Sequence, residues 1–316
     1  MQLIRGTAEV GGSLKCPVLT IGNFDGLHLG HQAIIRTIVD RARDLGGQAV
    51  VYTFDPHPRK VVQPDRAPQM LTTLEQKLEK LAEFGVDVVV VEPFDTAFAQ
   101  TSPEHFVRHH IHECIRPKEV YVGYDFHFGR DREGSMRSLT ETGPRLGFSV
   151  AIIPEVTIGE RDVNSTRIRE LLSKGQVEES EILLGRPYSV RGQVVEGDRR
   201  GRELGFPTAN LAAENEVLPL AGVYAGHMRL LGDDSSEPPQ RLPVVTNVGL
   251  RPTFDDGQGL MAEAHVIDFE GDLYGRKVEL SFERRLRAEQ KFADLDSLRR
   301  QIASDVDEAR RWLGRA

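Results

Sequence analysis

The spacing of apolar positions along this chain changes once, near residue 185. Before that point the runs Val18–Gly22, Ala49–Phe54, Val86–Val91, Glu119–Gly123 and Ser149–Ile153 read as strands. Between them apolar residues recur at helical spacing near 31–45, 73–84 and 103–115, with Leu74, Leu78 and Leu81 striping the second helix. Such alternation predicts an α/β domain, a doubly wound parallel sheet with helices on both faces and ligands at the carboxyl ends of its strands. Pro56, Pro58, Pro64 and Pro68 make 56–70 a loop and a candidate lid. Gly143-Pro144 falls where another helix ought to run and should break or shorten it.

After Leu184-Gly185-Arg186-Pro187 the helical period fades. Tyr188–Val195, Val223–Leu230, Val244–Val248, Ala262–Ile267 and Val278–Phe282 read as successive strands, with Gly232–Gln240 as a polar loop. Leu298, Ile302, Val306 and Ala309 then place a helix toward the end. A small closed antiparallel β-barrel with a C-terminal helix is expected. Two domains follow, 1–185 and 186–316, and 316 residues suffice for two cores.

With 39% hydrophobic and 28% charged residues the composition is that of a globular protein. No secretory signal is visible at the N-terminus, and Val88–Val91 is far too short to span a bilayer. Cys16 and Cys114 are the only cysteines, which leaves no disulfide framework or cysteine metal cluster. A cytoplasmic location is the default expectation. The net charge of −8 speaks against a nucleic-acid-coating protein; neither nucleic acid nor membrane is expected as a partner. Local binding of a small anion stays open.

Candidate chemistry begins at Gly22-Asn23-Phe24-Asp25-Gly26-Leu27-His28-Leu29-Gly30-His31, which joins a strand to a helix. His28 and His31 fall three residues apart at the helix start, where backbone N–H groups and the helix dipole favour an anion. The pair admits three readings. It could be a plain helix start with solvated histidines, a metal site whose third ligand is not evident nearby, or a phosphate site that uses Gly30 for close backbone approach. Val122-Gly123-Tyr124-Asp125-Phe126-His127-Phe128-Gly129 reads as a charged, aromatic loop after a strand. Asn164-Ser165-Thr166-Arg167-Ile168-Arg169 reads as a capped helix start, with Ser165 or Thr166 as cap, whose hydroxyls and arginines also suit polyphosphate oxygens.

In the second half, Gly192 to Leu211 combines glycines with Arg199, Arg200 and Arg202 and ends Pro207-Thr208-Ala209-Asn210. No Gly-Lys-Ser/Thr closes it, so it is not a P-loop. Alone it reads as a basic surface turn. Thr208 and Asn210 nevertheless offer a hydroxyl and an amide carbonyl, hard oxygen donors acceptable to Mg²⁺.

The Gly22–His31 string resembles the His-x-Gly-His motif of nucleotidylyltransferases. Together with Thr53-Phe54-Asp55-Pro56-His57-Pro58, Gly123–Gly134 and Ser165–Arg169, it resembles the adenylyltransferase half of bacterial bifunctional riboflavin kinase/FMN adenylyltransferases. The resemblance implies that His28 and His31 act on ATP phosphates. Gly22, Asn23, Phe24, Asp25, Gly30, Ser165, Thr166 and Arg169 would complete the nucleotide site, with Asp125, Pro56 and His57 toward the flavin. Asn164 departs from the serine usual there. In the second half, Gly192–Leu211, Pro219–Ala225, Asn247–Phe254, Leu273-Tyr274-Gly275 and Leu286–Phe292 resemble the riboflavin kinase half in family order.

That second resemblance implies ATP binding by Gly197, Gly201, Arg202, Gly205 and Pro207, Mg²⁺ at Thr208 and Asn210, and Glu263 as the base. It also implies ATP as co-substrate and riboflavin, FMN and FAD as substrates and products. Two rivals remain at this stage. One is a transferase with a single live site; the other is a flavin-binding sensor without turnover.

Overall fold

The structure, a computed structural model, describes residues 1–159, 161–196, 205–232, 241–250 and 260–314. They fall into two compact units, Met1–Asn164 and Ser165–Ala316.

The first unit is built on six parallel strands. These are β1 (Gln2–Arg5), β2 (Pro17–Ile21), β3 (Gln48–Asp55), β4 (Val88–Pro93), β5 (Glu119–Gly123) and β6 (Ser149–Ile153), in the order β1-β4-β3-β2-β5-β6. Central strands β2 and β4 are buried along nearly their whole length because both faces are covered. Val18, Ala49, Val51 and Val89 pack under helices α1 (Leu29–Asp44) and α2 (Leu74–Glu83), through Ile35, Ile38 and Leu81. Their neighbours Leu19, Val50, Tyr52 and Val90 point the other way. They meet Phe106, Val107, Ile111 and Ile115 of α3 (Phe106–Ile115), a π-wound helix. Each such side chain contributes about 1.5–3 kcal/mol by leaving water.

The chain winds from β2 through β3 to β4, then returns to the other side of β2 to lay down β5. Strand order therefore reverses between β2 and β5, and the loops following those two strands flank a crevice at their carboxyl ends.

Three details differ from expectation. The 56–70 loop contains a short helix, Pro58–Val62, and a 3₁₀ turn, Pro64–Arg66; each opens on a proline, whose fixed φ suits a first helical position. β1 was not anticipated, because its partly polar Gln2–Arg5 shows little burial at the sheet edge. Ser165 and Thr166 are the first residues of a helix rather than caps ahead of it. The break at Gly143-Pro144 is present: α4 (Met136–Thr142) stops there and a 3₁₀ turn, Gly143–Leu146, replaces its continuation.

The second unit opens with α5 (Ser165–Ser173) and α6 (Val177–Leu184), the latter unforeseen. Both pack within this unit: Leu172 O accepts from Leu220 N at 2.9 Å, and Glu178 Oε1 accepts from Arg285 N at 3.3 Å. The compact unit thus begins at Ser165, while the barrel strands begin just beyond residue 185. Those strands are β7 (Tyr188–Val195), β8 (Ala209–Ala213), β9 (Gly222–Leu230), β10 (Arg241–Leu250), β11 (Leu260–Val266) and β12 (Lys277–Phe282). Antiparallel pairing runs β10-β11-β8-β7-β12-β9, and β9 pairs back onto β10 to close the barrel. β13 (Arg284–Arg287) adds to β9, and α7 (Leu295–Leu313) packs Val306, Ala309 and Leu313 on Val223, Ala225 and Val245.

Candidate functional site

In the first unit the chain leaves β2 at Ile21 and enters α1 at Leu29, and the connecting loop is held in an uncommon conformation. Phe24 and Leu27 have positive φ (50° and 44°), and Gly26, at 80°, is in the region glycine tolerates best. Each non-glycine residue so placed costs about 1–2 kcal/mol. Asp25 offsets that cost. It is 3% exposed, and its carboxylate accepts from Leu71 N and Thr72 N at 3.1 Å and from Thr72 Oγ1 at 3.2 Å. Hydrogen bonds to a charged group contribute about 1.5–3 kcal/mol each. The loop is thereby fastened to the segment that enters α2.

His28 is the N-cap of α1, and its Nδ1 accepts from the backbone N–H of His31 at 3.3 Å. A neutral imidazole whose Nδ1 accepts carries its proton on Nε2, which makes Nε2 a donor. The His28 and His31 rings stack with centroids 3.6 Å apart, and Phe24 meets His31 edge-on at 5.2 Å. Gly30 is required by this packing: a Cβ there would lie 3.2 Å from the His28 ring and 3.4 Å from Val163 O. Gly22 is similar, since a Cβ would come within 3.2 Å of the Phe24 ring. Asn23 O accepts from Thr53 Oγ1 at 3.4 Å, linking the loop to β3. The structure thus brings Gly22, Asn23, Phe24, Asp25, His28, Gly30 and His31 together at one helix N-terminus.

Two further predicted groups lie at carboxyl ends in the same unit. Asp125 follows β5, on the far side of the crevice, and its Oδ1 lies 3.3 Å from where a Gly123 Cβ would stand. Pro56 and His57 follow β3, and His57 Nδ1 caps the Pro58–Val62 helix by accepting from Arg59 N at 3.2 Å. Ser165, Thr166 and Arg169 lie on α5 of the second unit.

In the barrel unit, register decides what meets. Asn210 of β8 stands opposite Glu263 of β11, Glu263 stands opposite Asn247 of β10, and Asn247 stands opposite Val223 of β9. Directly opposed residues share a face, so these four form one row, on the face that α7 covers. Asn210 is 5% exposed, and its Oδ1 has no hydrogen-bond partner among the described residues. An amide oxygen left so costs about 1–3 kcal/mol unless something fills it. Thr208 is half-buried two residues earlier, and Pro207 O accepts from His265 Nδ1 at 2.9 Å. Gly205, with φ +85°, faces Arg299 of α7. Gly197, Gly201 and Arg202 lie outside the described residues.

Among the described residues no three His, Cys, Asp or Glu side chains are grouped as metal ligands. A hydroxyl and an orphaned amide oxygen instead fit Mg²⁺, which takes its remaining ligands from water and phosphate.

Sequence reasoning passed over two residues. Asn247 had been quoted only within a longer string. Lys77, which the sequence reading did not single out, is 5% exposed on α2. Its signal was its spacing: it lies three residues after Leu74 and four before Leu81, on the apolar stripe.

Comparison with known proteins agrees with this division of features. A family model described as FAD synthetase matches residues 13–167, and one described as riboflavin kinase matches residues 184–313. The bifunctional riboflavin kinase/FMN adenylyltransferase of Escherichia coli (strain K12) is 39% identical over 316 residues, covering 99% of this chain and 98% of that one. The Bacillus subtilis (strain 168) protein of the same name is 33% identical over 301 residues, covering 94% and 92%. A solved structure from Streptococcus pneumoniae, titled a macrolide-efflux protein, is similar with a TM-score of 0.88. It is 30% identical and covers 99% of this chain and 100% of that one. Among the described residues no helix is long and apolar enough to cross a membrane. Two family models in this order, with full-length relatives above 30% identity, place the chain in the bifunctional riboflavin kinase/FMN adenylyltransferase family, as a transferase with both activities.

Proposed function

We propose that residues 1–185 carry adenylyl transfer to FMN and residues 186–316 carry phosphorylation of riboflavin, each through the side chains described above. The observation that supports the kinase half best is the buried, orphaned Oδ1 of Asn210 in one cross-strand row with the Glu263 carboxylate. In this reading Glu263 accepts the proton of the riboflavin 5′-hydroxyl as that oxygen attacks the γ-phosphorus of ATP, and ADP departs. Thr208 and Asn210 would hold Mg²⁺, which supplies charge neutralisation at the ATP phosphates when bound.

In the adenylyl transfer reading, a phosphate oxygen of FMN attacks the α-phosphorus of ATP, the bond to the β-phosphate oxygen breaks, and pyrophosphate leaves. No side chain need act as nucleophile. His28 Nε2 donates to the polyphosphate, and the α1 N-terminus adds its backbone N–H groups and dipole. The likeness of Ser165–Arg169 to the family's motif supports a role for Ser165, Thr166 and Arg169 in ATP binding. ATP, riboflavin and FMN are then the small-molecule partners, in the cytoplasm. The test is to incubate pure protein with riboflavin and Mg-ATP and resolve FMN, FAD and pyrophosphate over time. Sequential appearance of FMN and then FAD is expected; flavin binding with neither product would favour a sensor.

The metal assignment has its own check. Asn210→Ala is expected to reduce FMN formation from riboflavin and to raise the Mg²⁺ concentration needed for half-maximal rate. A purely structural Asn210 would lower the melting temperature with the Mg²⁺ dependence unchanged, so both are measured on the same sample.

A further inference from the structure

The turn Gly205-Phe206-Pro207 leads into Thr208 and Asn210, and contacts within the second unit hold it beside α7. Phe206 packs, as Ile302 of α7 does, against the cluster that contains Val306 and Ala309. Its ring meets His265 edge-on at 5.4 Å, and Pro207 O accepts from His265 Nδ1 at 2.9 Å. Ile302 follows Arg299 by three residues, so the two share one face of α7. The Arg299 side chain reaches the turn from that face: its Nη2 lies 3.7 Å from where a Gly205 Cβ would stand. Gly205 has φ +85°, a conformation that favours glycine, so the guanidinium meets bare main chain there.

A partner for this cation stands on its own helix and is not used. Asp296 precedes Arg299 by three residues, the spacing at which Asp307 and Arg310 of the same helix form an ion pair at 3.5 Å. Among the described residues Arg299 forms no ion pair and no side-chain hydrogen bond. A solvated arginine on a helix needs no explanation by itself. One that passes over an available carboxylate and lies on a glycine turn does. Between Gly205 and Thr208 there is at most about 10 Å of extended chain.

We propose that Arg299 is a nucleotide-binding residue of the kinase half, whose guanidinium donates to the polyphosphate of ATP at the Gly205–Pro207 turn. The proposal rests on the reading of Thr208 and Asn210 as part of the ATP site. A triphosphate carries negative charge that one divalent cation neutralises only in part. More charge falls on the departing ADP as the γ-phosphoryl group moves to riboflavin. A guanidinium presents five N–H donors in one plane and can take two phosphate oxygens at once. Because α7 is packed on the barrel, Arg299 brings these donors from a rigid element rather than from the loop itself.

The full-length protein is assayed for riboflavin phosphorylation over a range of Mg-ATP concentrations. Arg299→Met removes the charge and keeps an apolar stem. The kcat/KM for ATP should fall by about tenfold or more, mostly through KM, with the KM for riboflavin within about twofold of the parent. Arg299→Lys keeps a point charge without the fork and should recover part of the loss. Arg300→Met removes the neighbouring exposed arginine and should stay within about twofold of the parent. FAD formation from supplied FMN should hold within about twofold in all three, since its assigned phosphate loop lies in the first unit. Arg299 is exposed, so the melting temperature should move little.

A fall smaller than about threefold in Arg299→Met overturns the proposal. An equal fall in Arg300→Met overturns it too, because the effect would then belong to the charge of the helix at large. Asn210→Ala is run alongside. If it loses kinase activity and Arg299→Met does not, the arginine assignment fails by itself. If Asn210→Ala phosphorylates riboflavin with the Mg²⁺ dependence of the parent, the reading of the site fails, and the proposal for Arg299 fails with it.

Discussion

Glu263→Gln is expected to lower riboflavin phosphorylation by about 10²–10⁴-fold while supplied FMN is still converted to FAD at the parent rate. Glutamine keeps the volume and hydrogen-bonding reach of the side chain and removes only its capacity to take a proton. The loss corresponds to about 3–5 kcal/mol of transition-state stabilisation. It should appear mainly in kcat, because an unreacted hydroxyl can still be hydrogen-bonded by an amide. Glu263 sits between Asn210 and Asn247 in the strand register, so the substitution leaves the ladder bonds of β11 intact, and the melting temperature should move little. A variant that phosphorylates riboflavin at the parent rate would show that another group takes the proton. The adenylyltransferase assay on the same preparation guards against general damage, since its assigned loop lies in the first unit.

Most of the parallel sheet was legible because its central strands are buried on both faces and therefore read as short unbroken apolar runs, such as Val88–Val91. The strand Gln2–Arg5 was not legible, since three of its four residues are exposed and the run is short. Ala209–Ala213 escaped for another reason. Small alanines and a buried Asn210 hide the period-two alternation, and Pro207 just ahead reads as a turn. The helix Val177–Leu184 carries Glu178, Glu179 and Glu181 on so short a segment that its apolar stripe barely repeats.

The sites divide along the same lines. The Gly22–His31 loop is contiguous, so its glycines, its capping histidine and the helix after it could all be seen in one string. The row Asn210–Glu263–Asn247 is assembled from three strands far apart in sequence, and its existence depends on register, which spacing within any one strand does not contain. Motif likeness could nominate Asn210 and Glu263 separately; it could not show that they stand opposite each other. Lys77 was hidden in yet another way. Its position on the stripe was visible, but a charged residue type argues for water, and its burial is set by what packs around the helix rather than by its own type.

His28→Ala combined with His31→Ala should abolish most FAD formation, by about 10³-fold or more, and leave phosphorylation of riboflavin running so that FMN accumulates. Removing a single preorganised donor to developing phosphate or oxyanion charge typically costs 10²–10³-fold. The two rings here are stacked at 3.6 Å and share a hydrogen bond through the His31 N–H, so they act as one unit and their losses should not simply multiply. Each single variant is therefore expected to lose nearly as much as the pair. The first also removes the N-cap of α1, worth about 1 kcal/mol of stability. His28→Asn separates those contributions: asparagine caps a helix as well as histidine does, so stability should return while FAD formation stays low. Undiminished FAD formation by the double variant would remove the phosphate role of this loop. Recovery of FAD formation by His28→Asn alone would reduce His28 to a cap.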